Sequence, residues 1–288
     1  MSPDLGLLEM GIPIDLADGL AAGRPGASRT SRRLTGVRHP HLWRLRLAFA
    51  ITLIVVACLA VTGSLASLVL SRVLAHRRGA VGRGILRLSA RLTLQVARLT
   101  GLIQCDLPAL AEMVGPYGLL LVANHPSRLD ALFMIACLPD LVCITKASIW
   151  DHRLFGAAIR MAGYPRVGDD RHFASVGALL LDGHRVLVFP EGTRSPTAGP
   201  GPFRPGFAVL ARQAQVPIQT IMIETDSDFL GRDWPLLRVP ARPVRIGLRV
   251  GTRFDPPGRQ PGDMRRVALA VERAFHEQPA DPRRDMPA

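Results

Sequence analysis

Only one lysine, Lys146, stands among the 36 basic residues of this 288-residue chain, and acidic residues number 23. The formal charge of +13 points to an anionic partner, which for a basic chain is nucleic acid or a membrane surface. Aromatic residues are scarce as well. At 5% of the sequence, and never interleaved with basic residues in a run, they exclude the stacking surface that single-stranded nucleic acid requires. Membrane lipid is the favoured partner and no nucleic acid is expected. Cysteine is limited to Cys58, Cys105, Cys137 and Cys143, with no Cys-x-x-Cys pair and no histidine at ligand spacing. No metal site is therefore expected. The four read as small buried hydrophobes in a reducing compartment.

What the chain does have is one long uncharged run. Leu47 to Leu70 carries no charge and as a helix would extend about 36 Å, enough for a bilayer core. A transmembrane or deeply inserted helix is expected. Ser64-Leu65-Ala66 resembles a signal-peptidase site, but the 46 residues ahead of the run are too many for an ordinary signal peptide. Arginine lies on both sides of the run, from Arg24 to Arg46 and from Arg72 to Arg87. Charge thus chooses no side, and both ends are expected to return to one anionic face. Arg83, Arg87 and Arg91 then recur four apart while Ile85, Leu86, Leu88, Leu92, Val96 and Leu99 fill the other side of a helix. Two readings stand: a basic helix in the headgroup plane or beside the first as a hairpin, or an ordinary amphipathic helix packed on the domain with solvated arginines.

From Gly118 onward, short apolar runs alternate with helical patterns. Strands are expected at 118–123, 141–145, 186–189, 218–223 and 244–250, and helices at 127–138, 149–162, 173–182, 207–215 and 264–277. That alternation predicts an α/β domain: a mixed, largely parallel sheet flanked by helices, with an N-terminal membrane helix or helical hairpin. The organisation is read as a basic flexible arm over 1–40, a membrane helix plus amphipathic basic helix over 41–104, a domain over 105–277 and a disordered tail over 278–288.

At the end of the first expected strand stands Asn124-His125-Pro126-Ser127-Arg128-Leu129-Asp130. In a continuous helix, residues five apart diverge by about 140°. His125 is therefore expected just before the helix, with Pro126 at its first position and Asp130 one turn in, reaching back to the imidazole. A carboxylate on one ring nitrogen fixes the tautomer and leaves the other free to take a proton. Taken alone, such a pair also fits a structural hydrogen bond at a helix start. A second segment, Phe189-Pro190-Glu191-Gly192-Thr193-Arg194-Ser195, follows another strand and brings a carboxylate, a flexible glycine and a guanidinium to the edge where α/β sheets bind ligands.

The pair of segments resembles the lysophospholipid acyltransferase family of glycerolipid enzymes, the 1-acylglycerol-3-phosphate acyltransferase-like proteins. That family carries an Asn-His-x-x-x-x-Asp block and, some sixty residues on, a Phe-Pro-Glu-Gly-Thr-Arg-Ser block, and both are complete here. Val216-Pro217-Ile218 matches a later block. The resemblance implies that residues 105–277 are an acyltransferase domain in which His125 and Asp130 are catalytic. It further implies that Asn124, Arg128, Lys146, Glu191, Gly192, Thr193 and Arg194 bind substrate, with the Gly192 amide helping to hold an oxyanion. Acyl-CoA or acyl-carrier protein would be the co-substrate, with no other cofactor. The acceptor would be the hydroxyl of a lysophospholipid such as 1-acylglycerol-3-phosphate, at the inner, cytoplasmic membrane with the domain facing the cytoplasm.

One block departs from the family. Where it has Gly-x-x-Phe-Ile-x-Arg, the chain reads Gly163-Tyr164-Pro165-Arg166-Val167-Gly168-Asp169, so an acid fills the slot of the arginine that grips the acceptor phosphate, and Arg166 and Arg171 differ in parity or spacing. An acceptor without phosphate, such as an aminolipid or a specialised lipid, is the alternative, and a non-catalytic membrane scaffold is a third reading.

Overall fold

The uncharged run folds as the middle of one 32-residue helix, α1 (Leu42–Val73). In this computed structural model, residues 42–277 are described apart from 75, 106–109, 111–113, 116–117, 169–171 and 197–198. The expected arm and tail lie outside the described residues. Helix α1 is long and apolar enough to cross a membrane, with a mean hydropathy of 2.5 over its most apolar 18 residues. Thr52 donates back to the Ala48 carbonyl at 2.8 Å and Ser67 to that of Gly63 at 2.7 Å, which removes most of the penalty for polar groups in an apolar setting, while Ser64 donates out of the helix to the Leu154 carbonyl.

Helix α2 (Arg78–Leu99) packs against α1. Gly63 faces α2, where a Cβ would stand in ordinary contact with Ile85 Cγ2 at 3.4 Å. The hairpin reading and the domain-packed reading each hold in part, but the basic face is not uniformly solvated: Arg91 is exposed, Arg87 half-buried and Arg83 turned inward. Arg83 is buried, with its Nε on Asp140 Oδ1 and its Nη1 donating to the Ala162 carbonyl at 3.1 Å. Leu88, Leu92 and Leu99 are exposed. Next to Arg83, Gly82 sits so close to the backbone of Met161 and Ala162 that an added Cβ would come within 2.4 Å of the Ala162 nitrogen. The face of α2 that carries Arg83 is thus the face seated on the domain.

Among the described residues the sheet has six strands: β1 (Ile103–Cys105), β2 (Leu119–Ala123), β3 (Leu141–Cys143), β4 (Arg185–Val188), β5 (Ile218–Thr225) and β6 (Val244–Phe254). Their order is β1-β6-β5-β2-β4-β3, parallel throughout except for the antiparallel β5–β6 pair. The mixed, largely parallel sheet expected from the sequence is therefore present. Helices α3 (Asp130–Cys137), α4 (Ala147–Trp150), α5 (Gly156–Met161), α6 (His172–Leu181), α7 (Gly206–Ala214) and α8 (Asp263–His276) flank it. Strand β2 is buried at all five residues, which is why it reads as an unbroken apolar run.

Three local expectations change. The helix expected at 149–162 is two pieces, α4 and α5, because the chain turns at Asp151–Phe155 and brings Gly156 against the Trp150 carbonyl, where a Cβ would sit at 2.4 Å. Strand β1 is additional, paired to β6 through Ile103↔Val244. The helix expected from Ser127 begins only at Asp130. For function the decisive register is β2 with β4: Val122 lies opposite Val188, so the residues after each strand leave the sheet side by side at one edge.

Candidate active site

His125 leaves β2 and Asp130 opens α3, with Pro126 to Leu129 forming a turn between them. Pro126 is thus not the first helical residue. The turn closes the five-residue gap instead: the Ser127 amide donates to Asp130 Oδ2 at 2.8 Å, and His125 Nδ1 meets the same oxygen at 2.7 Å. The intervening Arg128 amide donates outside the turn, to the Leu230 carbonyl at 3.1 Å. Asp130 is completely buried, and its Oδ1 has no hydrogen-bond partner among the described residues. Burial pushes this carboxyl above the ordinary carboxylate range, against the downward pull of His125 and the Ser127 amide. The His125 ring stacks on Phe189, with centroids 4.1 Å apart and planes 18° from parallel. With Nδ1 engaged and the ring face covered, Nε2 is the nitrogen left for a substrate proton.

The second segment wraps the backbone of the first. Glu191 is buried; its Oε1 accepts from the His125 amide at 3.1 Å and the Ser195 hydroxyl at 2.5 Å, and its Oε2 accepts from the Gly201 amide at 2.8 Å. The Ser195 amide in turn donates to the His125 carbonyl at 2.7 Å. Gly192 has a φ of +66°, a conformation glycine adopts without strain. Its amide closes the turn onto the Phe189 carbonyl at 3.0 Å, so the donor expected for an oxyanion is engaged within its own loop. Thr193 is exposed. Arg194 is half-buried, with Nη1 donating to the Leu230 carbonyl at 3.3 Å and to that of Gly231. Desolvation first, then the neighbouring Arg128, lowers its pKa.

The remaining expected residues are placed less directly. The Asn124 amide is occupied on both sides by Ile223, donating to its carbonyl at 2.9 Å and accepting from its N–H at 2.7 Å, which fastens β2 to β5. Arg128 is exposed and reaches the Trp234 carbonyl at 3.4 Å. Lys146 is exposed at the start of α4, beyond β3. Arg166 pairs with Asp151 at 2.9 Å, while Asp169 and Arg171 lie outside the described residues. Among the described residues no group of acids, histidines and cysteines could hold a metal ion.

Sequence reasoning missed one segment, Phe229 to Trp234. Besides its bonds to Arg128 and Arg194, it accepts the Ser127 hydroxyl on the Phe229 carbonyl at 3.1 Å. Arg232 donates through Nε and Nη2 to the Arg194 carbonyl at 3.0 and 2.7 Å. This strap therefore ties both motif loops together. An open cleft of about 920 Å³ runs beside it from Asn124, Pro126 and Ser195 to Glu224, Arg232 and Arg249.

A sequence profile of the acyltransferase family matches residues 111–224, which contain both motif loops. The chain is 36% identical over 169 residues to 1-acyl-sn-glycerol-3-phosphate acyltransferase alpha of Mus musculus, 56% of this chain and 57% of that one. It is 40% identical over 122 residues to the Homo sapiens alpha protein, 40% of this chain and 42% of that one. The chain thus spans little more than half the length of the first of these relatives and about two fifths of the second. The crystal structure of the 1-acyl-sn-glycerophosphate (LPA) acyltransferase PlsC from Thermotoga maritima has a similar fold, with a TM-score of 0.54 at 19% identity over 84% of this chain and 98% of that one. Profile, relatives and the two complete motif loops agree: over residues 111–224 the chain is similar to the acyltransferase family and to its 1-acyl-sn-glycerol-3-phosphate acyltransferases.

Proposed function

We propose that the protein is a membrane-bound O-acyltransferase that moves a fatty acyl chain from acyl-CoA or acyl-carrier protein to the hydroxyl of a lysophospholipid such as 1-acylglycerol-3-phosphate. The observation that carries this reading is the 2.7 Å contact of His125 Nδ1 with buried Asp130, which leaves Nε2 available. His125 Nε2 takes the proton of the acceptor hydroxyl as its oxygen attacks the thioester carbonyl. The tetrahedral adduct collapses, the carbon–sulfur bond breaks, and the departing thiolate recovers the proton from the imidazolium. Asp130 holds the ring and offsets its positive charge between those steps. Neither a metal nor an acyl-enzyme enters the scheme. Arg194, Lys146 and Arg128 would supply positive charge for the acceptor headgroup, and Thr193 an exposed hydroxyl beside it. Glu191, Asn124 and Gly192 serve by positioning the backbone.

The relatives' names support a glycerol-phosphate acceptor, and the apolar α1 supports work at a membrane, proposed as the inner membrane with the domain on the cytoplasmic side. A second reading, an acceptor without phosphate, is favoured by two arginines that are already engaged: Arg194 on backbone carbonyls and Arg166 on Asp151. Offering the purified protein labelled acyl-CoA and acyl-carrier protein with a panel of lysolipids, and identifying products by mass spectrometry, tests both. Turnover of lysophosphatidate supports the first reading and turnover of aminolipids alone the second; no acyl product with any acceptor overturns both.

A further inference from the structure

Adjacent exposed leucines on a turn held by its own hydrogen bonds are unusual in a surface that faces only water, because fixing a turn ordinarily goes with burying its apolar side chains. Leu236 and Leu237 form such a pair, at 57% and 73% exposure. The turn that presents them is fixed from both ends. The Trp234 indole donates to the Arg238 carbonyl at 2.9 Å, the Arg238 amide to the Pro235 carbonyl at 3.0 Å, and the Arg238 guanidinium lies 4.8 Å over the Trp234 ring. Rings continue inward from there: Trp234 meets Phe229 edge-on at 5.8 Å, and Phe229 meets Phe49 of α1 at 5.9 Å. Leu237 and Arg238 share a crevice of about 390 Å³ with Leu42 and Arg46 at the start of α1. Trp43 and Leu47 beside them are exposed too.

We infer that the Pro235–Arg238 turn is a membrane-contacting wedge: Leu236 and Leu237 seat in the apolar edge of a bilayer bearing anionic lipid, alongside the start of α1. Two features commit the patch to lipid. It is continuous with the exposed apolar face of α1, which carries Trp43, Leu47 and Ile54 outward. Its rim is basic, with Arg44, Arg46 and Arg238 nearby, Arg242 being paired with Asp226 at 2.9 Å, and with no acidic residue among Leu42–Leu47 or Pro235–Arg242, the pattern that headgroups of negative charge attract. The wedge has a functional consequence because it continues the strap. Three residues before Leu237, the Trp234 carbonyl holds Arg128, and the Leu230 and Gly231 carbonyls hold Arg194. Seating the leucines in lipid therefore places that edge of the site at the depth of an acceptor headgroup, while the loops keep the posture that the strap's own hydrogen bonds give them.

The inference rests on the membrane-bound acyltransferase reading, and its test separates the two. In full-length protein with Cys58→Ser, a Leu237→Cys substitution is labelled with an environment-sensitive fluorophore and reconstituted into vesicles of phosphatidylcholine with anionic phosphatidylglycerol. Strong quenching by brominated acyl chains is expected. Water-like, unquenched emission overturns the inference. So does a shielded but unquenched label, which would give the patch to a second copy of the chain or to its own N-terminal segment. Independently, the double substitution L236D/L237D is expected to lower kcat/KM at least about tenfold toward an acceptor presented in vesicles, the factor that follows from losing one buried leucine. Toward a monomeric short-chain acceptor it should leave kcat/KM unchanged. Equal loss on both acceptors assigns the leucines a purely structural role and overturns the wedge. If wild-type protein acylates no acceptor, the enzymatic reading fails, while the quenching result still decides the membrane contact.

Discussion

The two motif loops leave neighbouring parallel strands at one edge of the sheet, yet they are built for different work. In the first loop the His125 and Asp130 side chains are kept for each other, and Nε2 is left without a structural duty. In the Glu191–Ser195 loop the carboxylate is turned inward, accepting three hydrogen bonds, two of them from backbone amides. Both loops carry an acid that the sequence marks as important. One acid adjusts a ring, and the other fixes the main chain on which that ring is mounted. A residue's place in a motif therefore says that its geometry matters before it says what it touches.

Substitution can break this contrast. The largest effect is expected for His125→Ala, which removes the proposed base from a turn that is partly open to solvent: the acyl-transfer rate falls by about 10²–10⁴, while the melting temperature stays within a few degrees of wild type. Asp130→Asn comes next. The amide cannot offset an imidazolium, so turnover should fall by about 10² or more. Stability should move differently. A carboxyl whose proton affinity is raised by burial contributes stability that is complete below the unfolded carboxylate range and is lost as pH rises through its folded value. An amide at this position does not titrate and would abolish that loss, so thermal melts at pH 7 to 8 should show a variant at least as stable as wild type, and destabilisation there would mean that the carboxylate is held chiefly for the fold. Glu191→Gln is expected to do the reverse. One of its two oxygens becomes a donor facing either Gly201 N–H or Ser195, leaving a donor unpaired at about 1–3 kcal/mol, so the melting temperature drops while some turnover survives.

Much of this arrangement is legible in the sequence, and the reasons for the rest are physical. The strands read clearly because a central parallel strand such as β2 is apolar at every position. Spacing says that His125 and Asp130 cannot meet within one continuous helix, but the turn over Pro126–Leu129 that brings them together, with the helix starting only at Asp130, is not in the pattern. Strand β1 is three residues long and finds its partner in β6, far along the chain. The inward turn of Arg83 depends on Asp140, 57 residues away, so the periodicity of α2 defines a basic side without saying which way it faces. The strap is the hardest to foresee, since it acts mainly through the carbonyls of Phe229, Leu230, Gly231 and Trp234, and any residue type offers a carbonyl.

That last point sets the subtlest test of the contrast between a residue that reacts and one that holds. Arg232 belongs to no motif and is exposed, but it grips the Arg194 carbonyl with two hydrogen bonds. If Arg194 reads the acceptor headgroup, loosening its backbone should weaken recognition without touching proton transfer. Arg232→Gln can restore at most one of the two bonds, and one neutral hydrogen bond corresponds to roughly a two- to tenfold change in an equilibrium. The expected outcome is a KM for a phosphate-bearing lysolipid raised by about that factor, with kcat and the pH profile unchanged and with no change toward an acceptor that lacks phosphate. A rise of equal size for both acceptors would show that the strap supports the site as a whole. A fall in kcat alone would show that the strap acts on the His125 loop, through Ser127 and Arg128, and not on Arg194.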